Sequence, residues 1–595
     1  MNEIPWRPWN EAAFTEAQAQ NKPVFLSITA AWCHWCRVMD EQTYANEAIA
    51  QYVREHFIPV RVDSDKRPDV NARYTMGGWP TTCVLSPEGD LIWGHTFVPP
   101  DGMAQILPQV LNAFHNDKPG MAQHIAQQRE QIKQQTTPPP LDPTLHVTPE
   151  ITRAALAGVK QNFDFANGGF GREQKFPHTE AVELVLEQYA RSLAAGAPDP
   201  DLKTILDKTI TAMAEGGLRD KDGGGFFRYT QTPDWRDPHL EKLLEDNALI
   251  ARTFARAYQL LGSEQASEVA GETLRYLDAV LYDMERGVWG GSQAADEEYY
   301  AQPAAERAEW NPPAADRTVL CGPNALAVRA HVAWWQATGN AYSLAKARRA
   351  MDFLLARLRS ADGAFVHFLS DDEAVAQAAG PAPSGLLSDS ADVTAACLDL
   401  YEAGQGAVYL DHAEALADWV RGHLEDPRGG GLFDAVVRPE AVGNLKLGTK
   451  DIADNMQMAD ALLRLFLATG AEEHAQLAQR ILQAFIPATG QLGFFGAGFA
   501  LAAERALLPP ILVHVVGAAN DPRTEALVEA AHRPYRFERF VQPLDPANPD
   551  DAEHLESLEY PASEEPAAYV CVAAACLPPT RDPAVLTETV RTASG

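Results

Sequence analysis

The chain has 595 residues, 46% hydrophobic and 22% charged, too long for one ordinary core, so several domains are expected. Its 49 Lys and Arg against 81 Asp and Glu give a formal charge of -32, which repels phosphate backbones and anionic lipid and argues against nucleic acid or membrane partners. The acidic N-terminal stretch lacks an apolar leader core, no run of about 18 uncharged apolar residues follows, and seven cysteines are too few for a secreted framework, so a cytoplasmic protein is expected.

PVFLSIT (23–29) predicts a strand, and from Arg37 to Phe57 the residues Val38, Tyr44, Ile49, Tyr52, Val53 and Phe57 fall near helical spacing. IPVRVDSD (58–65) predicts a second strand, GGWPTTCVLSPEGDLIWGH (77–95) a hairpin turning at Pro87, Glu88 and Gly89, and 101–115 a closing helix. That order is the order of a thioredoxin-like fold. Between the first strand and helix, AAWCHWC sets Cys33 and Cys36 three apart, next to Trp32 and around His34. A sulfur at a helix start meets unsatisfied N–H groups and the positive dipole end, which favour thiolate. Cys33 is the expected nucleophile and Cys36 the resolving thiol, with His34 able to support the thiolate. Trp79 and Pro80 stand at the entrance to the later strand, where a cis proline would lie against the cysteines. A zinc half-site and two inert buried thiols are the competing readings; the remaining cysteines supply no second Cys-x-x-Cys, so no metal is expected. The pattern resembles thioredoxin, Trp-Cys-x-x-Cys followed by a cis proline, but Ser27 stands where that family carries a buried acid.

Residues 127–150 are polar and then proline-rich, a linker by composition. Beyond them glycine recurs beside an aromatic or leucine in NGGFG (167–171), DGGGFFRY (222–229), RGVWGGS (286–292), ADGAFVHF (361–368), RGGGLFDA (428–435) and TGQLGFFGA (489–497). Two helical segments accompany each motif, twelve in all between 148 and 507, and each pair exposes an apolar face that only neighbouring pairs can cover. An (α/α)6 toroid follows, with polar loops at one end as the candidate ligand site: Lys175, His178, Arg228, Tyr229, Asp237, His239, Glu241, Lys242, Asp246 and Asn247, with Asp296 and Asp389 further along. His239, Glu241 and Glu245 are expected to begin a helix. A histidine beside carboxylates could move a proton at a sugar carbon, and no glycine fingerprint for a nucleotide appears, so no cofactor is expected.

The tail offers a buried-strand pattern, PPILVHVVG, then a helical DPRTEALVEAAHR and AAYVCVAAACLPP. On a single strand Cys571 and Cys576 would face opposite ways and could pair only across a turn. The expected fold class is multidomain, α/β plus all-α: a thioredoxin-like domain (1–118), a linker (119–147), the toroid (148–507) and a small α/β cap (508–595).

CHWC, VDSDKRPD (62–69), GGWP, GGFGREQKFPH (168–178), GGGFFRYTQTPDWRDPHLEKLLEDNALI (223–250) and AYVCVAAACLPP together resemble the thioredoxin-domain-containing proteins related to spermatogenesis-associated protein 20. The resemblance implies a thiol-disulfide oxidoreductase domain joined to a toroid similar to that of N-acylglucosamine 2-epimerases. Its implied partners are a protein or small-molecule disulfide or thiol, and a carbohydrate in the toroid, handled by an epimerase-like reaction or by binding alone. The chain departs from the family pattern at SQAADEEYY, which keeps Asp296, at LCGPNAL, which lacks the tryptophan, and at DIADNMQMAD.

Overall fold

A computed structural model describes residues 3–136, 139–560, 565–573 and 575–593. The N-terminal sheet runs β2-β1-β3-β4, with β1 (Val24–Thr29) central, parallel to β2 (Ile58–Asp63) and antiparallel to β3 (Thr81–Leu85), and β4 (Leu91–His95) at the edge. Every residue of β3 is buried, and all of β1 except Thr29 at its end, so these strands read as continuous apolar runs rather than alternating ones. Helix α1 (His34–Met39) leaves the C-terminal end of β1, which puts the two cysteines at the rim of the sheet. Within the 119–147 stretch, residues Lys118–Thr136 form a helix, and Arg129 from it clamps Asp90 at the foot of β4 through two hydrogen bonds, 2.6 and 2.7 Å.

Between 149 and 507 the described residues form twelve helices of more than ten residues. Six of them make the inner ring: α2 (Thr179–Ala194), α3 (Leu244–Leu261), α4 (Cys321–Thr338), α5 (Leu387–Glu402), α6 (Ile452–Thr469) and α7 (Ala497–Leu507). Each packs on the next, and α7 returns to α2, which closes the toroid. Glu472–Leu507 includes a window long and apolar enough to cross a membrane. That stretch is split into an outer-ring helix, Glu472–Phe485, a series of short turns, and α7 of the inner ring.

The glycine motifs are the turns that feed the inner helices. Their aromatic or leucine side chains, Phe170, Phe226, Trp289, Phe365 and Leu432, are at most 1% exposed. Each therefore contributes roughly 1.5–3 kcal/mol of burial to the ring. At three turns two successive glycines hold positive φ: Gly168 and Gly169 (74° and 69°), Gly224 and Gly225 (77° and 74°), Gly430 and Gly431 (66° and 71°). A Cβ on Gly169 would meet Trp235 at 2.3 Å, and one on Gly225 would meet Tyr276 at 2.4 Å.

The C-terminal segment is a second sheet, ordered β6-β5-β7-β8, with β5 (Ile511–Val516) parallel to β6 (Arg539–Leu544) and antiparallel to β7 (Ala567–Val572), which pairs with β8 (Ala575–Cys576). Order and directions are those of the N-terminal sheet, so the toroid lies between two sheets of one topology. Its loop at Tyr535, Phe537 and Arg539 plugs the lower end of the toroid, lining a cavity of about 180 Å³ with Arg252, Asp399 and Arg464. A turn follows β7, and it lets Cys571 and Cys576 pair.

Candidate functional site at the junction of sheet and toroid

Cys33 is the N-cap residue of α1, and its Sγ accepts the Cys36 N–H at 3.1 Å. The two cysteines form a disulfide. The Trp79–Pro80 peptide is cis and leads directly into β3. Trp32 turns its ring edge-on to Trp79 at 5.5 Å and donates from Nε1 to Asp65 Oδ2 at 2.7 Å. Burial, and then the negative charge of Asp63, push the Asp65 carboxyl up to about 7, against the Trp32 hydrogen bond and Lys66.

The toroid covers this face. Leu243 packs on the cluster of Ala30, Trp32, Cys33 and Cys36. The Arg228 guanidinium lies 4.7 Å from the Trp32 and Trp79 rings, close enough for cation–π attraction to both. The Ala295 N–H reaches the Trp32 carbonyl at 3.4 Å, and Glu297 meets the His34 ring at 3.4 Å. Cys33 retains 7% exposure and Cys36 4%. Deeper in the interface, His367 Nε2 donates to the Asp65 backbone carbonyl at 2.7 Å while Nδ1 faces Asp389 Oδ2 at 2.9 Å. With acceptors on both ring nitrogens the imidazolium is favoured: burial, the largest single influence, would lower its pKa, but the Asp389 charge, the Asp389 hydrogen bond and the Asp65 carbonyl together outweigh it and the value is raised.

Around this contact stand the first turns of the inner helices, whose positive dipole ends suit carboxylates. Glu245 is solvent-exposed at the mouth, yet the surrounding protein and then Asp246 raise its pKa to about 7. Asp246 is raised to about 6 by burial, with Arg228 opposing and Asp65 and Glu241 adding. Glu241 Oε2 and Asp246 Oδ2 are buried without a hydrogen-bond partner. His178 shares a cavity of about 280 Å³ with Asp246, and burial, aided by Lys175, holds it down to about 4. His239 stacks on Tyr229 at 4.3 Å, Tyr229 on Phe176 at 4.7 Å, and His239 Nδ1 stands 3.6 Å from Glu241.

Other residues expected at the mouth are held elsewhere. Lys175 and Lys242 are fully buried turn clamps: Lys175 Nζ binds Asp164 at 2.9 Å and the Gly171 carbonyl at 2.6 Å, and Lys242 Nζ binds Asp220 and the Gly224 carbonyl, both at 2.7 Å. Lys450 repeats the device with Asp426. Asn247 spends all its groups on the Phe226 N–H (2.6 Å), the Phe226 carbonyl (3.0 Å) and the Leu243 carbonyl (2.8 Å), as Asn324 and Asn455 do at their own turns. Asp296 caps a four-residue helix by accepting the Tyr299 N–H. The expectation that His239 and Glu241 begin a helix is corrected: Pro238–His239 and Lys242–Leu243 are short strands, paired with Tyr229–Thr230 and Ser292–Gln293, and the helix begins at Leu244, with Glu245 in its first turn. Asp237 lies in the tight loop before them with φ 56°. Asp65 and His367 were not singled out from sequence, although Asp65 stands in VDSDKRPD and His367 in ADGAFVHF. Among the described residues no group of three His, Cys, Asp or Glu side chains is arranged to hold a metal ion.

Residues 1–136 match the family Thioredox_DsbH, described as "Protein of unknown function, DUF255". An uncharacterized protein of Caenorhabditis elegans, B0495.5, is 31% identical over 293 residues, 47% of this chain and 40% of that protein. Spermatogenesis-associated protein 20 of Homo sapiens is 30% identical over 315 residues, 49% of this chain and 39% of that protein. The matched region thus spans about two fifths of the length of these relatives. Among solved structures, a D-mannose isomerase superposes with a TM-score of 0.48 at 12% identity, covering 62% of this chain and 100% of that one. A cellobiose 2-epimerase from Spirochaeta thermophila superposes with a TM-score of 0.45 at 14% identity, covering 64% and 96%. Over the matched regions the chain is thus similar to spermatogenesis-associated protein 20, and residues 1–136, which hold the thioredoxin-like sheet, match the DUF255 family model.

Proposed function

We propose that the protein is a thiol-disulfide oxidoreductase whose Cys33–Cys36 pair exchanges with a small molecule, and that the toroid excludes folded proteins from the sulfurs. The cover of Leu243, Arg228, Ala295 and Glu297 over the cysteine face carries this reading. In the reducing direction the Cys33 thiolate attacks one sulfur of the substrate disulfide and releases its other half as a thiol. Cys36 then attacks Cys33 Sγ, releases the second thiol and leaves the pair oxidised, and an external dithiol, which a cytoplasmic setting would supply, restores it. Asp65, near neutrality and bonded to Trp32, supplies the titrating acid that Ser27 does not. The test is turnover of bis(2-hydroxyethyl) disulfide with dithiothreitol as reductant: wild type accelerates it and Cys33→Ser does not, whereas equal rates would remove the proposal.

A second reading rests on Asp246, whose carboxyl is raised by burial to about 6 and which shares a cavity with His178, with Glu245 next to it in the chain and His239 facing Glu241. Groups so poised could pass a proton at a sugar carbon, as in an epimerase or isomerase. Deuterium uptake at C2 of an aldose, lost in Asp246→Asn, would support it; silence across a panel of sugars would remove it.

A further inference from the structure

The C-terminal sheet repeats the N-terminal topology but carries its sulfurs elsewhere. The helix after β5, α8 (Pro522–His532), is capped by Asp521 rather than cysteine, and Pro566 precedes β7 as Pro80 precedes β3. The cysteines sit on the edge hairpin instead, Cys571 directly opposite Cys576 and joined to it. Cys576 is exposed, while Cys571 is only 5% exposed. Behind Cys571 stands a relay absent from the N-terminal pair. The Tyr560 hydroxyl lies 3.5 Å from Cys571 Sγ and 2.6 Å from His514 Nδ1. Tyr560 is fixed by stacking on Tyr569 at 3.9 Å. Burial and then Tyr569 raise the Tyr560 phenol to about 12, so it keeps its proton at neutral pH, and burial and then His554 hold His514 down to about 4, so the imidazole is neutral there.

We propose that Cys571–Cys576 is a second thiol-exchange centre, serving small thiols of the glutathione class, in which Cys576 is the sulfur attacked and Cys571 the sulfur that leaves. An external thiolate attacks Cys576 Sγ from solvent. The bond to Cys571 breaks and its electron pair stays on Cys571. That thiolate accepts a hydrogen bond from the Tyr560 O–H, whose oxygen accepts in turn from His514 in its Nδ1–H tautomer, and it later takes a proton from water. A second external thiolate attacks the outer sulfur of the mixed disulfide and frees Cys576, so two small thiols become one disulfide and the protein pair becomes two thiols. Here side chains give the leaving sulfur the support that a helix N-terminus gives Cys33.

The experiment treats the full folded chain with reduced glutathione, quenches by alkylation and locates each label by peptide mass spectrometry. Opening of the pair by reduced glutathione in the native protein is expected; in Cys571→Ser, offered oxidised glutathione instead, the Cys576 thiolate should take one glutathione as a mixed disulfide while the other half leaves as the thiol. Tyr560→Phe should slow opening about tenfold, the loss of one hydrogen bond to a charged sulfur. The Cys33 and Cys36 peptides in the same digest report the other pair separately, and a Cys33→Ser/Cys36→Ser background should leave the result unchanged. A pair that stays closed until the protein unfolds, a mixed disulfide on Cys571 forming as fast from oxidised glutathione in Cys576→Ser, or opening as fast in a folded Tyr560→Phe would each overturn the proposal.

Discussion

His367 of the toroid and Asp65 of the thioredoxin-like domain meet through a 2.7 Å hydrogen bond from an imidazole to a backbone carbonyl, 302 residues apart in sequence. The same imidazole is held from behind by Asp389. One charged side chain thus ties the residue that anchors Trp32 to the inner ring of helices.

His367→Gln should therefore destabilise the folded chain, by about 3 kcal/mol, because Asp389 keeps a buried charge without its partner. Since the folded-state pKa of His367 is raised above 6.5, its contribution is fully present below about 6.5 and fades as pH rises through the folded value. Urea unfolding of both proteins from pH 5.5 to 9 should show the gap between them narrowing with rising pH.

Asp65→Asn keeps an acceptor for Trp32 and removes the acid. Exchange at Cys33 should slow at least tenfold, with the inflection near pH 7 gone from its pH profile. Stability should move the other way. The folded pKa of about 7 exceeds the unfolded one, so wild type binds more protons folded and loses stability between about pH 4 and 7; the variant should lack that slope.

Lys242→Met should lower stability by about 2–3 kcal/mol, leaving Asp220 only Arg307 as a cation, and leave thiol exchange unaltered. A variant that folded well but lost a toroid ligand would restore Lys242 to the mouth. Thermal melts beside an exchange assay separate the two outcomes.

Arg228→Ala removes the guanidinium from above Trp32 and Trp79. Loss of the cation–π contacts is worth about 1–2 kcal/mol of local cover. Faster alkylation of reduced Cys33 by a bulky maleimide is expected, with a small maleimide little changed.

What was legible in the sequence was local. The position of Cys33 at a helix start follows from a strand pattern ending at small residues, and the inner helices follow from apolar spacing between glycine turns. Lys242 and Asn247 were misread because a polar residue beside a glycine motif looks the same whether it lines a mouth or clamps the turn. The triple recurrence of the clamp, Lys175, Lys242 and Lys450 with Asp164, Asp220 and Asp426, was the available signal. Asp65 and His367 could not be paired from sequence, since no periodicity links residues that meet only when two domains dock.

The most direct test traps the first step in the Cys36→Ser chain, where Cys33 can form a mixed disulfide that nothing resolves. Reduced protein is offered cystamine or oxidised insulin at equal disulfide concentration, and adducts are weighed intact. A rapid adduct on Cys33 with cystamine and none with insulin is the predicted result. An insulin adduct forming as fast, or no adduct from either, would contradict a cysteine pair roofed by the toroid and open to small molecules.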